Sequence, residues 1–268
     1  METEPLVTVV LPVYNSAEFL SACLQSILNQ RFTQWELIAV DDGSTDDSRS
    51  ILLSVKDPRI RVESNCTNKG PGFTRNRILR LARAPIVVLQ DADDTMHPDR
   101  LLLQYSMLQN SRNADLVTCA VERIGESGTP VGVRKARAST LTVDDLLFFR
   151  RGPVHATLMG RKSWFERNPY PEDLMRAEDT VMILQAVSKS DFNFEVLDHP
   201  LYRYRETSGL RKRKLLAAYK IERRVLARYI DKGWKKFIYL SLSLAKTAIA
   251  STFNVRALVA KWKIENLF

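Results

Sequence analysis

Val7-Thr8-Val9-Val10-Leu11-Pro12-Val13 is a β-rich apolar run, and Tyr14-Asn15-Ser16-Ala17-Glu18 follows it directly. Asn15 reads as a helix N-cap with Glu18 three residues on. Phe19, Leu20, Cys23, Leu24, Ile27 and Leu28 then recur at helical spacing. The alternation repeats. Glu36-Leu37-Ile38-Ala39-Val40 is a second strand that runs into Asp41-Asp42-Gly43-Ser44-Thr45-Asp46, and a helix holding Ile51, Leu52 and Val55 comes next. Arg59-Ile60-Arg61-Val62 is a short third strand, and Phe73 to Arg83 a third helix. Pro85-Ile86-Val87-Val88-Leu89-Gln90 is a fourth strand, ending in Asp91-Ala92-Asp93-Asp94. Strand–helix–strand units with short links predict an α/β fold, a mostly parallel sheet flanked by helices.

In such sheets ligands bind beyond the carboxyl ends of the strands. Strands one, two and four all end in polar residues there: Tyr14-Asn15, Asp41-Asp42 and Asp91 to Asp94. That coincidence predicts the site. Farther on the pattern loosens. Leu116 to Val121 is strand-like, Gly125 to Gly132 reads as a turn, Ala156-Thr157-Leu158-Met159 as a strand and Glu178 to Ser188 as a helix.

Alternate carboxylates at a strand end, as in Asp91-Ala92-Asp93, suit a hard divalent cation shared with substrate phosphates. The same residues also suit an acidic turn before a helix, with Pro98 and Asp99 at its start. Asp41-Asp42 can read the donor edge of a base or a ribose hydroxyl, although Asp, Gly and Ser are ordinary turn formers. The spacing is wrong for an EF-hand. Glu178-Asp179 opens a helix, where acids favour the dipole, and a carboxylate there can also act as a general base.

Taken in order, Pro12-Val13-Tyr14-Asn15, Asp41 to Asp46, Asn68-Lys69-Gly70 with Arg75-Asn76, Asp91 to Asp94 and Glu178-Asp179 resemble the motifs of family 2 glycosyltransferases. The resemblance covers roughly residues 6–205, most densely before residue 101. It implies a Rossmann-like GT-A fold and an inverting glycosyltransferase using a nucleotide diphosphate sugar, UDP-linked in the first instance. By that resemblance Pro12, Val13, Tyr14, Asn15 and Ala92 would border the nucleotide sugar, with Asp42 accepting from the uracil imide and Asp41 shaping the same pocket. Arg75 would approach the nucleotide, and Asp91 the ribose or donor sugar. Asp93, with Asp91, would ligate Mn²⁺ or Mg²⁺, and Asp179, supported by Glu178, would be the base. The resemblance also implies a saccharide or lipid-linked acceptor in envelope polysaccharide or glycolipid synthesis. His155 and Trp164 are candidates for the acceptor side, although packing explains Trp164 as well. Tyr202-Arg203-Tyr204-Arg205 resembles a late family segment that can approach the diphosphate. His97 and His199 read as turn residues.

Charge divides the chain. Of 268 residues with a net charge of +9, residues 201–268 hold 17 Lys and Arg against 4 Asp and Glu, while the rest holds 23 against 27. The expected organisation is a catalytic domain over residues 1–205 and a basic helical C-terminal region over residues 206–268. In residues 211–268, Arg211-Lys212-Arg213-Lys214 starts a run of interleaved basic and apolar residues. Phe237 to Phe253 is apolar apart from small polar residues and Lys246, barely long enough to span a bilayer, and the lysine makes spanning costly. The expectation is an amphipathic segment lying on an anionic membrane surface. Packing on the catalytic domain is the alternative. No apolar signal segment opens the chain, and Cys23, Cys66 and Cys119 have no metal-like spacing. A cytoplasmic enzyme peripheral to the inner face of the cell membrane follows.

The basic tail raises a nucleic-acid-binding alternative, but carboxylate clusters at strand ends repel phosphates unless a metal intervenes. Hence no nucleic-acid partner is expected. The other alternative is a nucleotide-binding but inactive homologue. Gly70-Pro71-Gly72 is too short for a phosphate loop, no dinucleotide fingerprint is complete, and the three histidines form no zinc-protease pair.

Overall fold

A computed structural model describes residues 4–135, 141–146 and 152–206, with isolated positions beyond 206. The chain divides into two compact units, Met1–Glu206 and Thr207–Phe268. In the first unit the elements are β1 (Val7–Val13), α1 (Ala17–Leu28), β2 (Trp35–Asp41), α2 (Ser48–Ser54), β3 (Ile60–Ser64), α3 (Pro71–Leu81), β4 (Ile86–Leu89) and β5 (Thr95–Met96). They continue with α4 (Arg100–Asn110), β6 (Leu116–Ile124), β7 (Pro130–Arg134), β8 (Met159–Arg161), α5 (Lys162–Arg167), α6 (Glu178–Ser188) and β9 (Phe194–Arg205).

The strands join one sheet in the order β3-β2-β1-β4-β8-β6-β9-β5, with β7 paired to β6. Its first half is parallel, as the repeated units require: Val10 pairs with Ile38 on one side and Leu89 on the other. The second half is mixed. β8 runs antiparallel between β4 and β6, and β9 is parallel to β6 but antiparallel to β5. β1 is central and apolar on both faces. Val7, Val9, Leu11 and Val13 meet Leu20, Leu24 and Ile27 of α1 in one cluster. Val10 points the other way, with Ile78 of α3, Trp164 and Phe165 of α5 and Met182 of α6. Burial on two faces explains why β1 and β2 read as near-continuous apolar runs.

Some local expectations change. Asn15 does not cap α1; Ser16 holds that position, without a side-chain cap bond. Asn15 sits at φ 48 and instead accepts from Thr45 N at 2.8 Å, a left-handed conformation that Asn tolerates. α3 begins earlier than Phe73 because Pro71, with its preset φ, occupies the first turn. Gly125 to Gly132 is only half a turn: from Pro130 the chain already pairs with β6 as a hairpin. The strand expected at 156–159 is a single 3₁₀ turn, His155–Thr157, before β8. Thr157 Oγ1 donates to Val154 O at 2.6 Å, a local bond that competes with a ladder.

The amphipathic and apolar segments expected within residues 211–268 lie outside the described residues, apart from scattered positions. Among the described residues, no helix is long and apolar enough to cross a membrane.

Candidate active site

The carboxyl ends of β1, β2 and β4 open on a cleft of about 630 Å³, lined by residues of β1, α3, the loop after β4 and the start of α6. At one end stand Pro12, Val13, Tyr14, Asp42, Asn68 and Pro71. Tyr14 is 46% exposed, an open ring face. Asp42 is buried and heavily engaged: Oδ1 accepts from Asn65 Nδ2 at 2.7 Å and Lys69 N at 2.9 Å, and Oδ2 from Gly70 N at 2.9 Å. One carboxylate thereby fixes the whole 65–70 loop. Asp41 and Asn15 do not line the cleft. Asp41 is buried and accepts from Ser44 N, and Asn15 accepts from Thr45 N, so both brace the loop after β2 from behind.

Asp91, Ala92 and Asp93 form the floor. Burial and then the neighbouring Asp91 charge raise the Asp93 carboxyl above the usual carboxylate range. Asp94 faces inward: burial, then Asp93 and Asp91, push it up to about 8. Its oxygens accept from Tyr202 Oη at 2.7 Å and Arg205 N at 2.7 Å. Arg205 also donates Nε to Asp93 O at 3.1 Å and Nη1 to Glu126 O at 2.8 Å, with its guanidinium 4.4 Å from the Phe19 ring. The late Tyr202 to Arg205 segment therefore locks the acidic turn. Among the described residues no group of three or more His, Cys, Asp or Glu is placed to hold a metal. Asp91 and Asp93 are hard oxygen donors that lack full compensation. They fit a cation that takes its remaining ligands from phosphate and water, as Mg²⁺ commonly does.

The far wall is Met175, Arg176, Ala177, Glu178 and Asp179. Ala177 takes φ 62 and so turns the chain sharply into α6. Glu178 and Asp179 then diverge. Glu178 is buried and accepts from Arg75 Nη1 at 2.6 Å, while Arg75 Nη2 donates to Asp91 at 2.8 Å. Burial opposes the Arg75 charge, but Asp91 foremost outweighs it and holds the guanidinium charged. Arg75 thus ties the two acidic walls together. Asp179 keeps its face to the cleft. Its Oδ1 accepts from Thr180 N at 2.7 Å, and its Oδ2 has no partner among the described residues. Arg176 lines the cleft without an ion pair or hydrogen bond among the described residues. Met175 and Arg176 escaped the sequence reading; their only signal is adjacency to Glu178-Asp179.

The two acceptor-side candidates are corrected. Trp164 is fully buried, donates Nε1 to Asp191 O at 2.7 Å and packs edge-on against Phe165, so it cannot meet a sugar. His155 does not line the cleft either. Its Nε2 lies 2.7 Å from Tyr170 Oη, and burial, then Arg75, hold the ring neutral with a value lowered to about 3.

Residues 8–170, which contain β1, β2, α3 and the acidic turn, match the profile of Glycosyl transferase family 2. The chain belongs to that family. It is a glycosyltransferase, although the profile stops short of Glu178-Asp179. An uncharacterized glycosyltransferase of Methanocaldococcus jannaschii is 27% identical over 96% of this chain and 93% of its own length. The poly(ribitol-phosphate) beta-glucosyltransferase of Bacillus spizizenii is 29% identical over 69% of this chain but only 30% of its own. Two solved structures share the fold at 20% identity and a TM-score of 0.63. S. aureus TarS 1–349 in complex with UDP-GlcNAc is matched over 97% of this chain and 76% of its own. The mannosyltransferase PcManGT from Pyrobaculum calidifontis, with GDP-Man and Mn²⁺, is matched over 100% and 82%. The fold of this family 2 glycosyltransferase is GT-A.

Proposed function

We propose that this enzyme is an inverting hexosyl- or N-acetylhexosaminyltransferase that moves a sugar from a UDP-sugar to a saccharide or lipid-linked acceptor of the cell envelope. The observation that carries this reading is the division of labour in one cleft: Asp91 and Asp93 on the floor, Asp179 on the far wall with one oxygen open among the described residues, and Arg75 between. The base of the nucleotide would lie between Pro12, Val13 and Tyr14, with the remaining lone pair of Asp42 meeting its imide. Asp93, assisted by Asp91, would hold Mn²⁺ or Mg²⁺, which when bound supplies positive charge to the leaving diphosphate. Arg176, without an ion pair among the described residues, offers its guanidinium to the same anions. Asp179 would take the proton from the acceptor hydroxyl as that oxygen attacks the anomeric carbon. Single displacement inverts that centre.

An envelope acceptor draws support from the polymer named for the Bacillus spizizenii relative. The proposed anionic membrane surface rests on the charge of residues 201–268. The expected division at 205 moves by one residue, because Glu206 pairs with Arg123: residues 1–206 carry the catalysis and the basic tail after them the membrane contact.

Calorimetric titration with UDP and with GDP, each with and without Mn²⁺, tests the reading. Metal-dependent UDP binding that disappears in Asp93→Ala supports it. GDP binding in place of UDP overturns the choice of donor, and binding of neither overturns the nucleotide site.

A further inference from the structure

Tyr170 to Ala177 contains neither helix nor strand, yet it delivers Asp179 to the cleft. Its path is set from outside, by one face of α3. Asn76 is buried and pairs in both directions with a single residue of that segment. Its Nδ2 donates to Tyr170 O at 2.9 Å, and its Oδ1 accepts from Tyr170 N at 3.1 Å. Nδ2 also reaches Glu172 Oε1 at 2.9 Å. A side-chain amide that matches donor to acceptor and acceptor to donor on one residue holds both of the peptide units that flank it.

Gly72 lies one turn before Asn76 on the same helix face. A Cβ there would stand 2.5 Å from Pro171 O and 3.4 Å from Glu178 Cβ. The segment therefore rests against bare backbone. Arg75, on the same face, meets Glu178 itself.

We propose that Asn76 is a positioning residue for Asp179. It clamps Tyr170, while Gly72 provides the seat for Pro171, and together they set where α6 begins. The inference rests on the assignment of Asp179 as base. Asn76 does not line the cleft, so its removal acts through the segment that carries Arg176 and Asp179, and not through Asp91 or Asp93.

The test compares the full-length protein with Asn76→Ala and Gly72→Ala by backbone hydrogen exchange, UDP calorimetry with Mn²⁺ and release of UDP from UDP-glucose and UDP-N-acetylglucosamine. In both variants we expect exchange over residues 170–180 to rise by about tenfold or more while β1, β2 and β4 stay protected. UDP affinity should fall no further than in Arg176→Ala, whose guanidinium rides on the same segment, while UDP release should fall about tenfold or more beyond that loss through kcat. Asn76→Asp, isosteric and still accepting from Tyr170 N, carries the test if Asn76→Ala fails to fold. Unchanged exchange at 170–180, or a rise shared by the whole sheet, overturns the proposal. If the unaltered protein binds neither nucleotide, the donor-site reading fails, whereas the exchange comparison still decides the clamp.

Discussion

Arg75 Nη1 sits 2.6 Å from Glu178 Oε1, and each of the two side chains is only 8% exposed. The pair joins α3 to the first residue of α6 and carries on to Asp91 at 2.8 Å. Removing the cation leaves Glu178 buried without its partner and the part-exposed Asp91 carboxylate beside it. Arg75→Ala should therefore cost about 3–5 kcal/mol of stability, the usual penalty for orphaning a buried charge. Arg75→Lys should fall between, because an ammonium lacks the planar fork that reaches both carboxylates. Urea denaturation of the three proteins checks the order.

Asp179→Asn should keep UDP and metal binding and lose transfer by about 10²–10⁴-fold, the range for a general base. Glu178→Asn should behave differently, because Glu178 is committed to Arg75 and its loss disturbs the fold first. Calorimetry alongside UDP-release assays separates the two. Near-normal turnover in Asp179→Asn would sink the assignment of the base.

Asp42 accepts three hydrogen bonds from Asn65, Lys69 and Gly70. An amide turns one of those acceptors into a donor pointing at a donor. Asp42→Asn should cost about 1–3 kcal/mol and weaken UDP binding, since the 65–70 loop borders the base end of the cleft. Denaturation and calorimetry on the same sample read both effects.

His155 gives a pH prediction with a definite sign. Its folded value is lowered to about 3, so the folded protein binds this proton less readily than the unfolded chain does. Its contribution is complete above the ordinary value near 6.5 and is lost as pH falls towards about 3, with a slope of up to about 1.4 kcal/mol per pH unit. His155→Gln, which can still bond Tyr170 Oη, should flatten that acid limb in urea midpoints measured across the window.

The parallel half of the sheet was legible because β1, β2 and β4 are buried on both faces and each ends in a polar turn. α6 was legible to the residue, since Glu178-Asp179 marks its start and Val181, Met182, Leu184 and Val187 its buried side. Asn15 misled because a capping pattern is local, whereas its real partner, Thr45, lies across a strand crossover. Trp164 had two readings, sugar contact and packing, and packing holds; an aromatic beside polar residues looks the same in sequence whether it meets a sugar or a core. The Arg75–Glu178 link and the Asn76 clamp were invisible: their partners lie 103 and 94 residues apart, and no periodicity connects them.

Arg205 touches Asp93, Asp94, Glu126 and Phe19, and the next residue continues the fastening. Glu206 N donates to Ile124 O at 2.8 Å, and its carboxylate takes Arg123 Nε at 2.7 Å and Nη2 at 2.9 Å. Anyone shortening the protein to remove its basic tail thus faces a boundary defined to a single residue. A chain stopped after Arg205 would strip Arg123 of its fork and loosen the hairpin that steadies the acidic turn. One stopped after Glu206 would keep each of these contacts, and is the truncation to express.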